Sequence, residues 1–163
     1  MKFLVDLPLG GLAKWLRFCG FDAAVLHFSP EVPGALPPPQ PGTVILTRQE
    51  ALNRLARPDI LVLAGVGPEE QLKEVFTLLK ISRRRLQTLS RCSRCNEPLA
   101  PVDRDQVRGR VPEHVFHYQS QFHECPRCHR LFWAGSHLSG IIKTVLEKLA
   151  DGLFHFAHVT RLL

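Results

Sequence analysis

Four cysteines fall in two equal spacings, Cys92-Ser93-Arg94-Cys95 and Cys125-Pro126-Arg127-Cys128. A C-x-x-C turn aims two thiolates at one point about 2.3 Å away, and two such turns complete a tetrahedral zinc site. The segment between the pairs, 96–124, is long for a minimal zinc finger but suits two hairpins that meet at a metal. Arg91 and Asn96 flank the first turn, and Pro126 lies inside the second. The competing readings are two disulfides or a redox pair. Paired cysteines in a reducing compartment favour metal, and four thiolates suffice, so none of His114, His117, His123 and His129 is expected as a ligand. The fifth cysteine, Cys19, falls on the apolar face of a predicted helix and reads as core.

A second chemistry needs carboxylates. In a parallel α/β sheet, sites form at the C-terminal ends of the strands, and two acids there can hold Mg²⁺ or Mn²⁺, which activates water and neutralises phosphate. Asp6 closes the first predicted strand and is the candidate acid; capping of the following turn, just before Pro8, competes with that role. After the third strand comes Thr47-Arg48-Gln49-Glu50. The position best aimed inward holds Gln49, which can hydrogen-bond but carries no charge. Glu50 is adjacent on the next helix, and Glu31 lies in a proline-rich loop, so both are weaker candidates. Asp22 and Asp59 begin strands and belong to the opposite end of the sheet.

The elements that must hold these residues read as follows. Phe3-Leu4-Val5, Ala23 to Leu26, Thr43 to Thr47 and Ile60 to Leu63 are short apolar strands. A helix runs from Pro8 to Phe18 with Leu9, Leu12, Leu16 and Cys19 on one face and Lys14 and Arg17 pointing away. Gly20 ends it. Prolines at 30, 33, 37, 38, 39 and 41 forbid a helix between Phe28 and Gly42. A short helix spans Arg48 to Ala56, and another runs from Pro68 to about Ile81. Strand and helix alternate, so the first part is α/β with a mainly parallel sheet. The expected organisation is an α/β domain over 1–89, a zinc ribbon over 90–134, and a closing helix near His137 to Ala150 with an apolar tail through 163.

Net charge is +6 with a pI near 9.4, which points to an anionic partner, nucleic acid first. Basic residues crowd between Lys73 and Arg110, including the triplet Arg83-Arg84-Arg85; a solvated charged face is the plainer explanation of such a run. No apolar run reaches the length of a membrane span. Asp6 interrupts any signal-peptide core, so a cytoplasmic location is expected.

Three stretches carry a resemblance: Phe3 to Arg17 followed by Gly20-Phe21-Asp22, Ile45-Leu46-Thr47-Arg48, and the cysteine module closing in Phe132-Trp133-Ala134-Gly135-Ser136-His137. Together they resemble the Mut-seven C-terminal RNase domain family over nearly the whole chain. The resemblance implies a PIN-like nuclease fold with a zinc ribbon, and a metal-dependent RNase whose acids cluster at the strand tips. Asp6 matches the first acid. The family reads Thr-Arg-Asp after strand three, where this chain has Gln49, and an acidic helical segment after strand two is replaced here by the proline-rich loop.

Weak or absent cleavage is therefore expected, with RNA or an RNA–protein particle as partner. The RNA-contacting candidates are Lys14, Arg17, Arg48, Arg83, Arg84, Arg85, Arg91 and Arg94. Trp133, Phe132, Phe122 and Tyr118 could stack on unpaired bases or form the small core of the ribbon. The alternatives are an active RNase using Asp6 with Glu31 or Glu50 and Mg²⁺ or Mn²⁺, and a zinc-stapled protein-interaction scaffold.

Overall fold

The structure is a computed structural model that describes residues 1–29, 36–135 and Gly140. The expected closing helix, Ser136, His137, the tail and Glu31 lie outside those residues.

Four strands, β1 (Lys2–Asp6), β2 (Asp22–Leu26), β3 (Thr43–Thr47) and β4 (Ile60–Val62), form one sheet in the order β2-β1-β3-β4. Every pairing in it is parallel. Alternation along β1 sends Phe3 and Val5 to one face and Leu4 and Asp6 to the other. The first face packs on α1 (Gly10–Phe18) and α2 (Pro68–Leu78) through Leu12, Leu16, Leu72, Val75 and Phe76. The second face, with Leu4 and Ile45, is covered by Phe28 and Leu36 from the two ends of the proline-rich connection. Both faces of the strands are thus apolar, as a buried parallel sheet requires.

The local elements differ from expectation in detail. The first helix opens with a 3₁₀ turn over Leu7–Leu9, capped by Asp6, before α1 begins. The short helix after β3 is also 3₁₀, over Glu50–Leu55. α2 ends at Leu78, and Lys80 follows in the left-handed region at φ 50°. One expectation is overturned. Arg17 does not point away with Lys14; it is buried at 9% exposure. Arg17 lies one turn beyond buried Ala13, and its long side chain carries the guanidinium to carbonyl partners on β2 and on the first cysteine turn.

A second, antiparallel sheet follows, with β5 (Ala100–Val102), β6 (Phe122–Glu124) and β7 (Leu131–Trp133) in that order. Between β5 and β6 an arm carries a 3₁₀ turn, Arg104–Val107, and α3 (Glu113–Tyr118). Val107, Val115 and Phe122 make a small core under this sheet. No helix among the described residues is long and apolar enough to cross a membrane.

Candidate functional site

Parallel pairing fixes where the acids go. Lys2 is opposite Asp22 and Asp6 is opposite Leu26, so Asp6 and Asp22 occupy opposite ends of neighbouring strands. The C-terminal end holds the candidate acid site, and the N-terminal end meets the cysteine module.

At the C-terminal end Asp6 is fully buried. Its Oδ1 accepts from the backbone N–H of Leu7 at 3.0 Å and of Phe28 at 3.4 Å. Its Oδ2 accepts from the Thr47 hydroxyl at 2.8 Å and from Gln49 Nε2 at 2.7 Å. A carboxylate offers about four lone-pair directions, and four donors fill them. The Gln49 amide also donates to the Phe28 carbonyl at 2.8 Å. Both neighbours are acceptors, so the nitrogen, not the oxygen, must face them. Gln49 thus bridges two oxygens with one NH₂ group.

The other acids at this end are dispersed. Glu50 is exposed. Glu74 and Glu70 accept from the N–H groups of Ala64, Gly65 and Val66 in the loop after β4. The rim carries exposed Leu7, Leu26 and Val66. At the opposite end of the sheet, Asp59, just before β4, is spent on a bidentate pair with Arg57, which holds its carboxyl below the usual range.

The four cysteines of the second region lie together, with every Sγ within 4.8 Å of the others. Among the described residues no other set of three or more metal-ligating side chains converges in this way. Cys92 Sγ and Cys128 Sγ are 3.7 Å apart. That is far beyond a disulfide's roughly 2.05 Å, and it matches the edge of about 3.8 Å that a tetrahedron with 2.3 Å Zn–S bonds requires. All the cysteines are free, and the four-cysteine cluster fits zinc. The two turns repeat each other: Asn96 N–H donates to the Cys92 carbonyl and His129 N–H to the Cys125 carbonyl, both at 2.9 Å. Asn96 and His129 hold matching left-handed positions, at φ 67° and 56°. Crowding splits the thiols. Hydrogen bonding to Cys128 pushes Cys95 up to about 12, while the Arg130 backbone N–H draws Cys128 down to about 7. A divalent cation removes that conflict by taking all four as thiolates. Cys19, by contrast, is simply buried, which pushes its thiol to about 12.

One family model matches residues 1–145, that of the Mut7-C RNAse domain. This chain belongs to that family. Comparison with curated proteins and with solved structures gives no match. Membership of the Mut7-C RNAse domain family supports a nuclease-like or RNA-related role.

The basic candidates divide by position. Lys14, Arg48, Arg83, Arg84, Arg85 and Arg94 are exposed. Arg17 is withdrawn from any RNA surface by its burial. Arg91 is half-buried and engaged, donating to the Asn96 carbonyl at 2.6 Å and facing Asp22 at 3.7 Å. Of the aromatics, Phe122 is buried edge-on against Trp133 in the ribbon core. Phe132 and Trp133 line an apolar groove of about 180 Å³ with Phe18 and Leu89. Tyr118 stands 85% exposed.

Sequence reasoning missed two things here. Thr47 and Phe28 complete the hydrogen bonding of Asp6, and no motif announces a backbone partner. Asn96 links the cysteine turn to β2; its signal was an Asn directly after the second cysteine, where left-handed backbone is needed.

Proposed function

We propose that this chain is an RNA-binding member of its family whose strand-tip acid no longer supports metal-dependent cleavage. The observation that carries the reading is the closed carboxylate. Asp6 has no lone pair free for Mg²⁺ or Mn²⁺, and Gln49 supplies a hydrogen bond where cleavage chemistry needs a second negative charge. Ligation would require breaking at least one buried hydrogen bond to a charged group, worth about 1.5–3 kcal/mol. A single carboxylate returns little against that for a strongly hydrated ion.

RNA binding is supported by family membership and by the exposed triplet Arg83-Arg84-Arg85, which forms its own 3₁₀ turn with no carboxylate partner among the described residues. Such a turn offers phosphate contacts that are dense in charge and indifferent to sequence. Zinc at the four cysteines is structural in this reading: it crosslinks two turns in a module whose core is too small to hold them alone.

The test pairs two assays on one zinc-loaded preparation. Single-stranded RNA is expected to be retained with a steep dependence on salt and to stay intact in Mg²⁺ and Mn²⁺. Cleavage that follows the protein through purification and is lost in Asp6→Asn would overturn the loss of activity. Retention unchanged by replacing all three arginines with Ala would overturn the assignment of that surface.

A further inference from the structure

The first cysteine turn is fastened to the edge of the parallel sheet by side chains that are not ligands. Asn96 Oδ1 accepts from the Ala23 backbone N–H at 3.0 Å. Its Nδ2 donates to Asp22 Oδ1 at 2.7 Å. Strand β2 is an edge strand, so its outward N–H groups have no strand partner, and Asn96 meets one of them as a neighbouring strand would. Nearby, the Gln87 N–H donates to the Cys19 carbonyl at 3.0 Å. Gly20, at φ +91°, is required at that point, because a Cβ there would stand 2.2 Å from the Gln87 carbonyl oxygen.

Arg17 makes a second link, with hydrogen bonds to both sides. Its Nε and Nη2 grip the Ala23 carbonyl at 2.9 and 2.7 Å. Its Nη1 donates to the carbonyls of Ser93 and Arg94 at 3.1 and 3.0 Å. Those two carbonyls belong to the peptide groups whose N–H ends are on Arg94 and Cys95. Of these, the Cys95 N–H donates to Cys92 Sγ at 3.3 Å. A buried guanidinium therefore pulls on the oxygen ends of two peptides of the turn, one of which holds the Cys92 sulfur by its N–H end, and hydrogen bonds in series polarise one another. Among the described residues, no side chain donates to the carbonyls of Pro126 or Arg127 in the second turn. The two turns share a backbone but not this backing.

A four-thiolate zinc site carries a net charge of −2, which a buried cation beside it offsets. Burial draws the Arg17 guanidinium down, and the thiolates of Cys92 and Cys95 with Asp22 push it back up. The fork geometry suits this task, since one arginine can face two directions with fixed N–H groups and lysine cannot.

We propose that Arg17 and Asn96 are positioning residues of the metal site, acting on Cys92 and on the edge strand together, so that metal binding and closure of the β2 edge are a single event. The inference rests on the reading of the cysteine cluster as a zinc site. Outer-layer partners of metal ligands are commonly worth 10–100-fold in metal affinity, and that is the effect expected on replacing Arg17.

The experiment starts from the purified full chain, with metal content measured first. One zinc per chain is expected; none after purification and zinc addition would overturn the zinc reading and the inference with it. Amide exchange then follows the protein with zinc and after chelation. The Ala23 amide and its β2 neighbours should lose protection along with the cysteine turns. Metal bound, but β2 protection unchanged on its removal, would overturn the coupling while leaving the zinc site standing. Arg17→Met should bind zinc about 10–100-fold more weakly in competition with a chromophoric chelator. With Co²⁺ in place of zinc, its sulfur-to-metal charge-transfer bands should move to lower energy, because Cys92 loses N–H polarisation. Arg17→Lys should recover only part of both. Unchanged affinity and bands in Arg17→Met would contradict the relay. Should Arg17→Met fail to fold, Asn96→Gly keeps the left-handed backbone and removes only the side chain; it should expose the Ala23 amide with zinc still bound, and full protection there would contradict the role of Asn96.

Discussion

Asp6 and Asp22 lie four residues apart in register, about 13 Å along the sheet, and their charges are met in opposite ways. Asp6 is answered from within the parallel sheet and its loops, by Leu7, Phe28, Thr47 and Gln49. Asp22 is answered from outside, by Asn96 and Arg91 of the cysteine module. The contrast teaches what a strand-end carboxylate can be used for. Satisfied by its own strand tips, it becomes a closed capping group with nothing left for a ligand. Satisfied by a neighbouring module, it becomes the fastening of that module.

The largest effect should come from the fastened end. Cys92→Ala removes a ligand and is expected to abolish stoichiometric zinc binding, forfeiting metal-binding free energy on the order of 10 kcal/mol; metal analysis and near-ultraviolet circular dichroism check it. The closed end comes next. Asp6→Ala leaves four donors facing each other and should cost about 3 kcal/mol in denaturant midpoints. A loss below about 1 kcal/mol would mean that the carboxylate is not the hub the geometry makes it.

Gln49→Asp sharpens the comparison from the other side. It puts two carboxylates in direct opposition and should lower stability by about 1–3 kcal/mol without divalent cation, with Mg²⁺ or Mn²⁺ restoring it. Replacing Arg83, Arg84 and Arg85 with Ala should leave stability within about 0.5 kcal/mol and reduce the salt slope of RNA binding by about 2. The smallest effect is at Asp59. Its folded carboxyl is held low by Arg57, so its stabilisation is present at neutral pH and fades as pH falls through the lowered value. As a partly exposed pair it is worth under about 1 kcal/mol, and Asp59→Asn should remove that slice of acid sensitivity.

The sequence made some of this legible for definite reasons. Cys92, Cys95, Cys125 and Cys128 announce themselves because metal ligation demands fixed spacing. The four strands were legible because a sheet buried on both faces reads as apolar runs between turn residues. Gln49 was legible as the odd residue at a strand tip. Arg17 was not, because helical periodicity grouped it with Lys14 and said nothing of carbonyls arriving from residues 93 and 94. Thr47 and the Phe28 backbone were not, because they reach Asp6 only through parallel pairing and the close of the loop after β2. Long-range partners of this kind leave no local pattern.

The most direct test of the account is paramagnetic broadening by Mn²⁺ in the amide spectrum of the zinc-loaded wild-type protein and of Gln49→Asp. The account predicts that wild-type signals of Leu7, Phe28 and Gln49 stay sharp with Mn²⁺ in excess, while the corresponding signals of Gln49→Asp broaden at one equivalent. Selective broadening of Leu7, Phe28 and Gln49 in the wild type would contradict it, because Asp6 would then be open to a cation after all.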